Sequence, residues 1–174
     1  PHSLHGCRAA TSQRSKLPLV SDPQPGGLIR RPLLRCLGGP WALESCSLAS
    51  SGASSLFAAW NASVSAARCR FHSIPGGSEN ATCCVSVTDA AEVYLAESLL
   101  QDAYVAGVLA DSRARVDALR CRLFGNTVGL VLMGSASSRV RVCVFDYCFG
   151  SPLVARGGSS PPERRPQCPR AACR

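Results

Sequence analysis

Val64-Ser-Ala66-Ala-Arg-Cys69-Arg-Phe71 and Val116-Asp-Ala118-Leu-Arg-Cys121-Arg-Leu123 follow one eight-residue pattern. Three further segments join the frame: Trp41-Ala-Leu43-Glu-Ser-Cys46-Ser-Leu48, Val93-Tyr-Leu95-Ala-Glu-Ser98-Leu-Leu100, and Ser138-Arg-Val140-Arg-Val142-Cys143-Val-Phe145. Their sixth positions, Cys46, Cys69, Ser98, Cys121 and Cys143, are separated by 23, 29, 23 and 22 residues. A fixed period in the low twenties is the mark of a stacked solenoid, one coil per repeat. Positions one, three, six and eight are mostly apolar or small. Steps one to three and six to eight alternate as half-buried strands do, whereas three to six is an odd step. The frame therefore predicts two short strands joined by a bend.

A second apolar stretch follows each frame: Leu56-Phe57, Val85-Ser-Val87, Gly107-Val108-Leu109, Gly129-Leu130-Val131-Leu132 and Leu153-Val154. Each coil thus has at least two strand-forming sides, and no helical period is sustained between Trp41 and Gly150. Of the 174 residues, 46% are hydrophobic but only 6% aromatic, which suits a narrow core of small stacked side chains. No apolar run approaches the roughly 18 residues that span a bilayer.

The net charge of +8 is uneven: residues 1–40 carry +5, residues 151–174 carry +4, and residues 41–150 carry −1. The basic excess lies in flanks rich in Pro, Gly and Ser, a composition of linkers and tails. Nucleic acid is expected to meet those tails weakly and salt-sensitively, if at all. The chain divides into a basic Pro/Gly-rich tail over 1–40, with Leu33-Leu34-Arg-Cys36-Leu37 as a degenerate capping strand, repeats over 41–157, and a Pro/Arg/Cys-rich tail over 158–174.

Eleven cysteines cannot all pair within one chain. At the ladder position they read as small buried hydrophobes, and free thiols lean towards a reducing, intracellular setting. No CxxC occurs, and His2, His5 and His72 do not converge with cysteine pairs, so no metal site is expected. Asp89, Asp102, Asp111, Asp117 and Asp146 occupy different frame positions, so no catalytic carboxylate pair is stacked. No phosphate loop or nucleophile elbow is present; no catalytic residue and no cofactor are expected.

Frame position five, Ser45, Arg68, Glu97, Arg120 and Val142, is expected to face outward, stacking Arg68, Glu97 and Arg120 as plus, minus, plus. Position two is expected to set Asp117 beside Arg139. With Arg70, Arg122 and Arg141, residues Arg68 and Arg120 make a candidate binding surface for an acidic partner. The longest step contains His72-Ser-Ile-Pro75-Gly76-Gly77-Ser-Glu-Asn80-Ala-Thr82, read as a loop protruding from the stack. Asn61-Ala-Ser63 and Asn80-Ala-Thr82 match the glycosylation acceptor pattern, but modification at them is not expected.

The stretches from Ala106 to Asn126 and from Val128 to Phe145 resemble the repeats of the right-handed parallel β-helix, the pectin-lyase-like architecture, and in particular those of F-box-type ubiquitin-ligase adaptors. Cys143-Val-Phe145-Asp-Tyr-Cys148-Phe-Gly150 is also similar to the β-helical part of the large adenoviral early transforming protein. The resemblance covers about residues 41–157. It implies an all-β solenoid of about four to five coils, and it brings no F-box with it. A leucine-rich repeat competes, because Ala118-x-x-Cys121-x-Leu123-x-x-Asn126-x-Val128 fits that consensus. The equivalents of Asn126 are Ser51, Ile74, Ala103 and Cys148, however, so the asparagine ladder is missing. The reading that follows is a non-catalytic scaffold for a protein partner, or a piece of a longer repeat protein. The rival is a β-helix that binds or cleaves carbohydrate, for which Trp60, Tyr94, Tyr104 and Tyr147 lie scattered in the sequence.

Overall fold

The computed structural model describes residues 2–11, 32–50, 53–74 and 83–158. The first group of strands is β1 (His2–His5), β2 (Arg8–Thr11) and β3 (Leu34–Leu37). Then come β4 (Pro40–Glu44), β5 (Ser47–Ser50) and β6 (Leu56–Ala59), followed by β7 (Ser63–Ala67), β8 (Arg70–Ser73) and β9 (Cys83–Val87). The later groups are β10 (Glu92–Ala96), β11 (Leu99–Gln101) and β12 (Ala106–Ala110), then β13 (Arg115–Leu119), β14 (Arg122–Phe124) and β15 (Val128–Leu132). The last is β16 (Ser137–Arg141), β17 (Val144–Asp146) and β18 (Leu153–Ala155).

Every third strand pairs in parallel. Sheet A runs β1-β4-β7-β10-β13-β16, sheet B runs β2-β5-β8-β11-β14-β17, and sheet C runs β3-β6-β9-β12-β15-β18. The chain is a right-handed parallel β-helix that climbs about five coils. The leucine-rich-repeat alternative fails because the second half of each repeat is strand: among the described residues there is no helix. Of the expected protruding loop, residues 75–82 lie outside the described residues.

The stack extends further towards the N-terminus than Trp41. Leu4 is in register with Leu43 and Leu34 with Leu56, so residues within 1–40 contribute one strand to each sheet. Within the Leu33–Leu37 stretch, Leu34–Leu37 is the end strand of sheet C. Residues 159–174 lie outside the described residues.

The core is a set of inward columns, one residue per coil. Leu43, Ala66, Leu95, Ala118 and Val140 form one on sheet A; Leu48, Phe71, Leu100, Leu123 and Phe145 form another on sheet B. In the first, alanines sit between larger side chains, which lets neighbouring columns interdigitate at interior density. Phe71, Leu95 and Leu100 are fully buried. Each such side chain contributes roughly 1.5–3 kcal/mol by leaving water.

A third column reads Val64, Val93, Val116 and then Ser138. The Ser138 hydroxyl is buried and has no hydrogen-bond partner. A buried unpaired hydroxyl costs about 1–3 kcal/mol. Ser138→Val continues the valine column and removes that cost, so it is expected to raise stability by about 1–2 kcal/mol. A urea midpoint moved upward at unchanged slope is the result to look for.

The bend between sheets A and B falls at frame position five. Ser45, Arg68, Glu97, Arg120 and Val142 all have left-handed backbones, with φ between 50° and 54°, and Gly6 takes the same place in the first coil at 60°. Left-handed backbone costs an ordinary residue roughly 1–2 kcal/mol. Here it is held by the stack: Ser45 N–H donates to Ala67 O at 3.0 Å, Arg68 to Ala96 O at 2.9 Å, Glu97 to Leu119 O at 2.9 Å and Arg120 to Arg141 O at 3.0 Å.

The ladder residue that follows turns inward and bonds in two directions. Cys69 N–H donates to Ser98 Oγ at 3.0 Å, and Cys121 N–H donates to Cys143 Sγ at 3.3 Å. Each side chain also donates to the carbonyl two residues back: Cys69 to Ala67 O at 3.3 Å, Ser98 to Ala96 O at 2.7 Å, Cys121 to Leu119 O at 3.5 Å and Cys143 to Arg141 O at 3.4 Å. The ladder cysteines are small and buried, as expected. They are also polar partners for backbone that the bend takes out of the sheets.

Candidate functional site

Sheet A alternates strictly, and two of its outward rows form a groove. The residue just before the frame gives Pro40, Ser63, Glu92, Arg115 and Ser137. Frame position two gives Ala42, Ser65, Tyr94, Asp117 and Arg139. Across β7, β10, β13 and β16 these rows line an open groove of about 640 Å³. The first of these strands offers only Ser63 and Ser65, whose small side chains leave room. Tyr94 is half-buried and lies in register between Ser65 and Asp117.

Both carboxylates of the groove are engaged. Glu92 Oε1 meets Arg115 Nη1 at 3.3 Å, and Asp117 meets Arg141 Nη2 at 3.1 Å through both of its oxygens. The expected register of Asp117 with Arg139 is found. Arg141, two residues further along the same strand, also reaches Asp117.

The five candidate arginines gather along the A–B corner. Arg68 and Arg120 occupy the left-handed bend, Arg70 and Arg122 open β8 and β14, and Arg141 closes β16. Four of them are already paired. Arg68 pairs with Glu44, Arg120 with Glu97 at 3.5 Å, Arg122 with Asp146 at 2.6 Å and Arg141 with Asp117. The plus-minus-plus stack is therefore half formed: Glu97 meets Arg120, while Arg68 reaches back to Glu44, which His5 also contacts at 3.1 Å. These pairs are exposed and contribute about 0–1 kcal/mol each. Their arginines offer little net positive charge to a ligand.

The thiols lie inside the stack. None of the nine described cysteines forms a disulfide. Burial pushes the Cys36 thiol up to about 12, and it also raises Cys69, Cys83 and Cys84. Hydrogen bonding to Cys143, reinforced by burial, keeps the proton on Cys121 well above the usual thiol range. A protonated buried thiol is a donor, not a nucleophile. Among the described residues, no group of three or more His, Cys, Asp and Glu side chains is placed to hold a metal ion, and no helix is long and apolar enough to cross a membrane.

His72 Nε2 lies 3.2 Å from Asp102 Oδ2, which also accepts from Gln101 Nε2 at 2.7 Å. Sequence reading gave this pair no role, since 30 residues separate its members; the in-register stacking of β8 and β11 brings them together. Asn61 is exposed at a left-handed turn, and Asn80 lies outside the described residues. Trp60, Tyr104 and Tyr147 are exposed but do not line the groove; Tyr94 alone of these four aromatics does. Comparison with protein-family models, curated protein sequences and solved structures gives no match.

Proposed function

We propose that this chain is a non-catalytic binding scaffold, a β-helix of pectin-lyase-like kind whose outer face docks a protein partner, in the manner its likeness to adaptor repeats suggests. The observation that carries the reading is the sheet A groove. It runs across four coils, it is open to solvent, and it mixes hydroxyls, one aromatic ring and both signs of charge. A surface of this kind complements polypeptide, whose backbone and side chains present donors, acceptors and charges together. Its carboxylates are each paired with an arginine, Glu92 with Arg115 and Asp117 with Arg141.

Carbohydrate binding is the second reading, favoured by Tyr94, because a half-buried ring flanked by Ser65 and Asp117 is a surface on which a sugar ring can stack. Affinity capture from native extract, using the whole chain and a Ser65→Trp variant with a filled groove, separates the two. A defined protein retained by the parent and lost from the variant supports the scaffold. Retention of glycan alone overturns it.

A further inference from the structure

We infer that Cys121 and Cys143 are a redox-sensitive pair, which a peroxide oxidises to a disulfide that clasps two neighbouring coils. The register sets one above the other: Leu119 pairs with Arg141 just before them, and Arg122 with Val144 just after. Neighbouring parallel strands lie about 4.8 Å apart, within the roughly 4.4–6.8 Å between Cα atoms that a disulfide spans. The side chains already meet. The two thiols are hydrogen-bonded to each other, and the Cys143 sulfur also accepts the Cys121 N–H at 3.3 Å. Ser98 bounds the pair on its other side. It stacks beneath Cys121 and leaves Cys69 two coils away, roughly 10 Å, beyond the reach of a bridge.

The two sulfurs are not equivalent. Hydrogen bonding from the Cys121 thiol, joined by the Cys121 N–H, holds Cys143 below the usual thiol range against the opposing effect of burial. The same thiol–thiol bond, together with burial, holds Cys121 above that range. Cys143 therefore loses its proton first, and the thiolate is the form that reacts. It sits just behind the A–B bend, where Val142, the residue before it, is 77% exposed. The Cys143 thiolate attacks one peroxide oxygen and the O–O bond breaks, giving a sulfenic acid and hydroxide. The hydroxide takes up the proton that Cys143 gave up. The Cys121 sulfur then attacks the Cys143 sulfur, the S–O bond breaks, and the Cys121 proton leaves with the hydroxyl as water. Two thiols and one hydrogen peroxide thus become one disulfide and two waters.

The test is titration of the whole, reduced, folded chain with hydrogen peroxide, with and without the sulfenic-acid trap dimedone, followed by peptide mapping without reduction. A bridge between Cys121 and Cys143 is expected as the first product, and dithiothreitol is expected to reverse it. Cys121→Ser removes the resolving thiol, so no bridge forms at Cys143 and dimedone labels it. Cys143→Ser removes the reactive thiol, and oxidation of Cys121 is expected to slow by about tenfold or more. Serine keeps a hydroxyl at each rung, and unchanged thermal unfolding shows that the fold is intact; if one variant fails to fold, the other still decides. A first bridge at any other pair, Cys46 with Cys69 included, overturns the inference. So does dimedone on Cys121 in place of Cys143, or the absence of any bridge.

Discussion

Asn126→Leu is expected to destabilise the fold by about 3 kcal/mol, a large fraction of the 5–15 kcal/mol typical of a domain. Asn126 is fully buried where the chain leaves sheet B, just after Gly125 turns through a φ of 64°. Its Oδ1 accepts the Ala103 N–H at 3.0 Å and its Nδ2 donates to Leu100 O at 3.0 Å. One amide therefore satisfies the Ala103 N–H beyond the end of β11 and gives the Leu100 carbonyl within that strand a donor. Leucine matches the volume and restores neither bond, leaving the buried Ala103 N–H without its acceptor and the Leu100 carbonyl one donor short, at about 1–3 kcal/mol each. Asn126→Asp keeps the acceptor and loses the donor unless it is protonated. Burial raises the folded pKa of such an aspartate above its unfolded value of about 3.9, so the folded state holds the extra proton. The loss is then small below about pH 4 and grows as pH rises through the folded pKa. Urea unfolding read by circular dichroism checks both variants. A midpoint change for leucine equivalent to less than about 1 kcal/mol would remove the claim.

That asparagine also marks the limit of what the sequence discloses. Its partners, Leu100 and Ala103, are one coil away, and no second asparagine stands above or below to announce a ladder. The frames were readable because apolar alternation places Val64, Ala66 and Phe71 on one side whatever the tertiary detail. The same holds for the third strand, where Val85, Val108 and Leu130 fall in one column. The left-handed bend was readable only as a broken period. Arg68, Glu97 and Val142 carry no preference for that conformation, and glycine appears there only at Gly6. The first coil is hard to read in the sequence because the residues from 12 to 31 separate its strands and because β1 is mostly polar. Leu4 and Cys7 nonetheless keep the spacing of Leu43 and Cys46, and Ala9 takes the place of Leu48. For the site, the face was legible and the pairing was not. Frame position two named Tyr94, Asp117 and Arg139 as neighbours. Arg141 reaches Asp117 diagonally, a contact that depends on the length and direction of a long flexible side chain.

The cysteine ladder gives the second large effect. Cys143→Ala and Ser98→Ala are each expected to cost about 1–3 kcal/mol, while Cys143→Ser and Ser98→Cys cost less than about 1 kcal/mol. Removing the Cys143 sulfur leaves the Cys121 N–H buried without an acceptor, and removing the Ser98 hydroxyl does the same to Cys69. The ordering of the variants decides between two physical accounts. Were the ladder only a column of small hydrophobes, alanine would suit the core better than serine, because serine brings an extra polar group into it. A ladder that bridges backbone reverses this ranking, since a hydroxyl accepts the N–H from the coil below and donates to the carbonyl two residues back. Unfolding midpoints for the four variants, measured under reducing conditions, give the ranking directly. Alanine above serine at position 143 would mean that the sulfur fills space and that its bonds contribute nothing. Serine above alanine makes each rung a polar clasp between coils, and explains why Ser98 can stand in a column of cysteines without disturbing the stack.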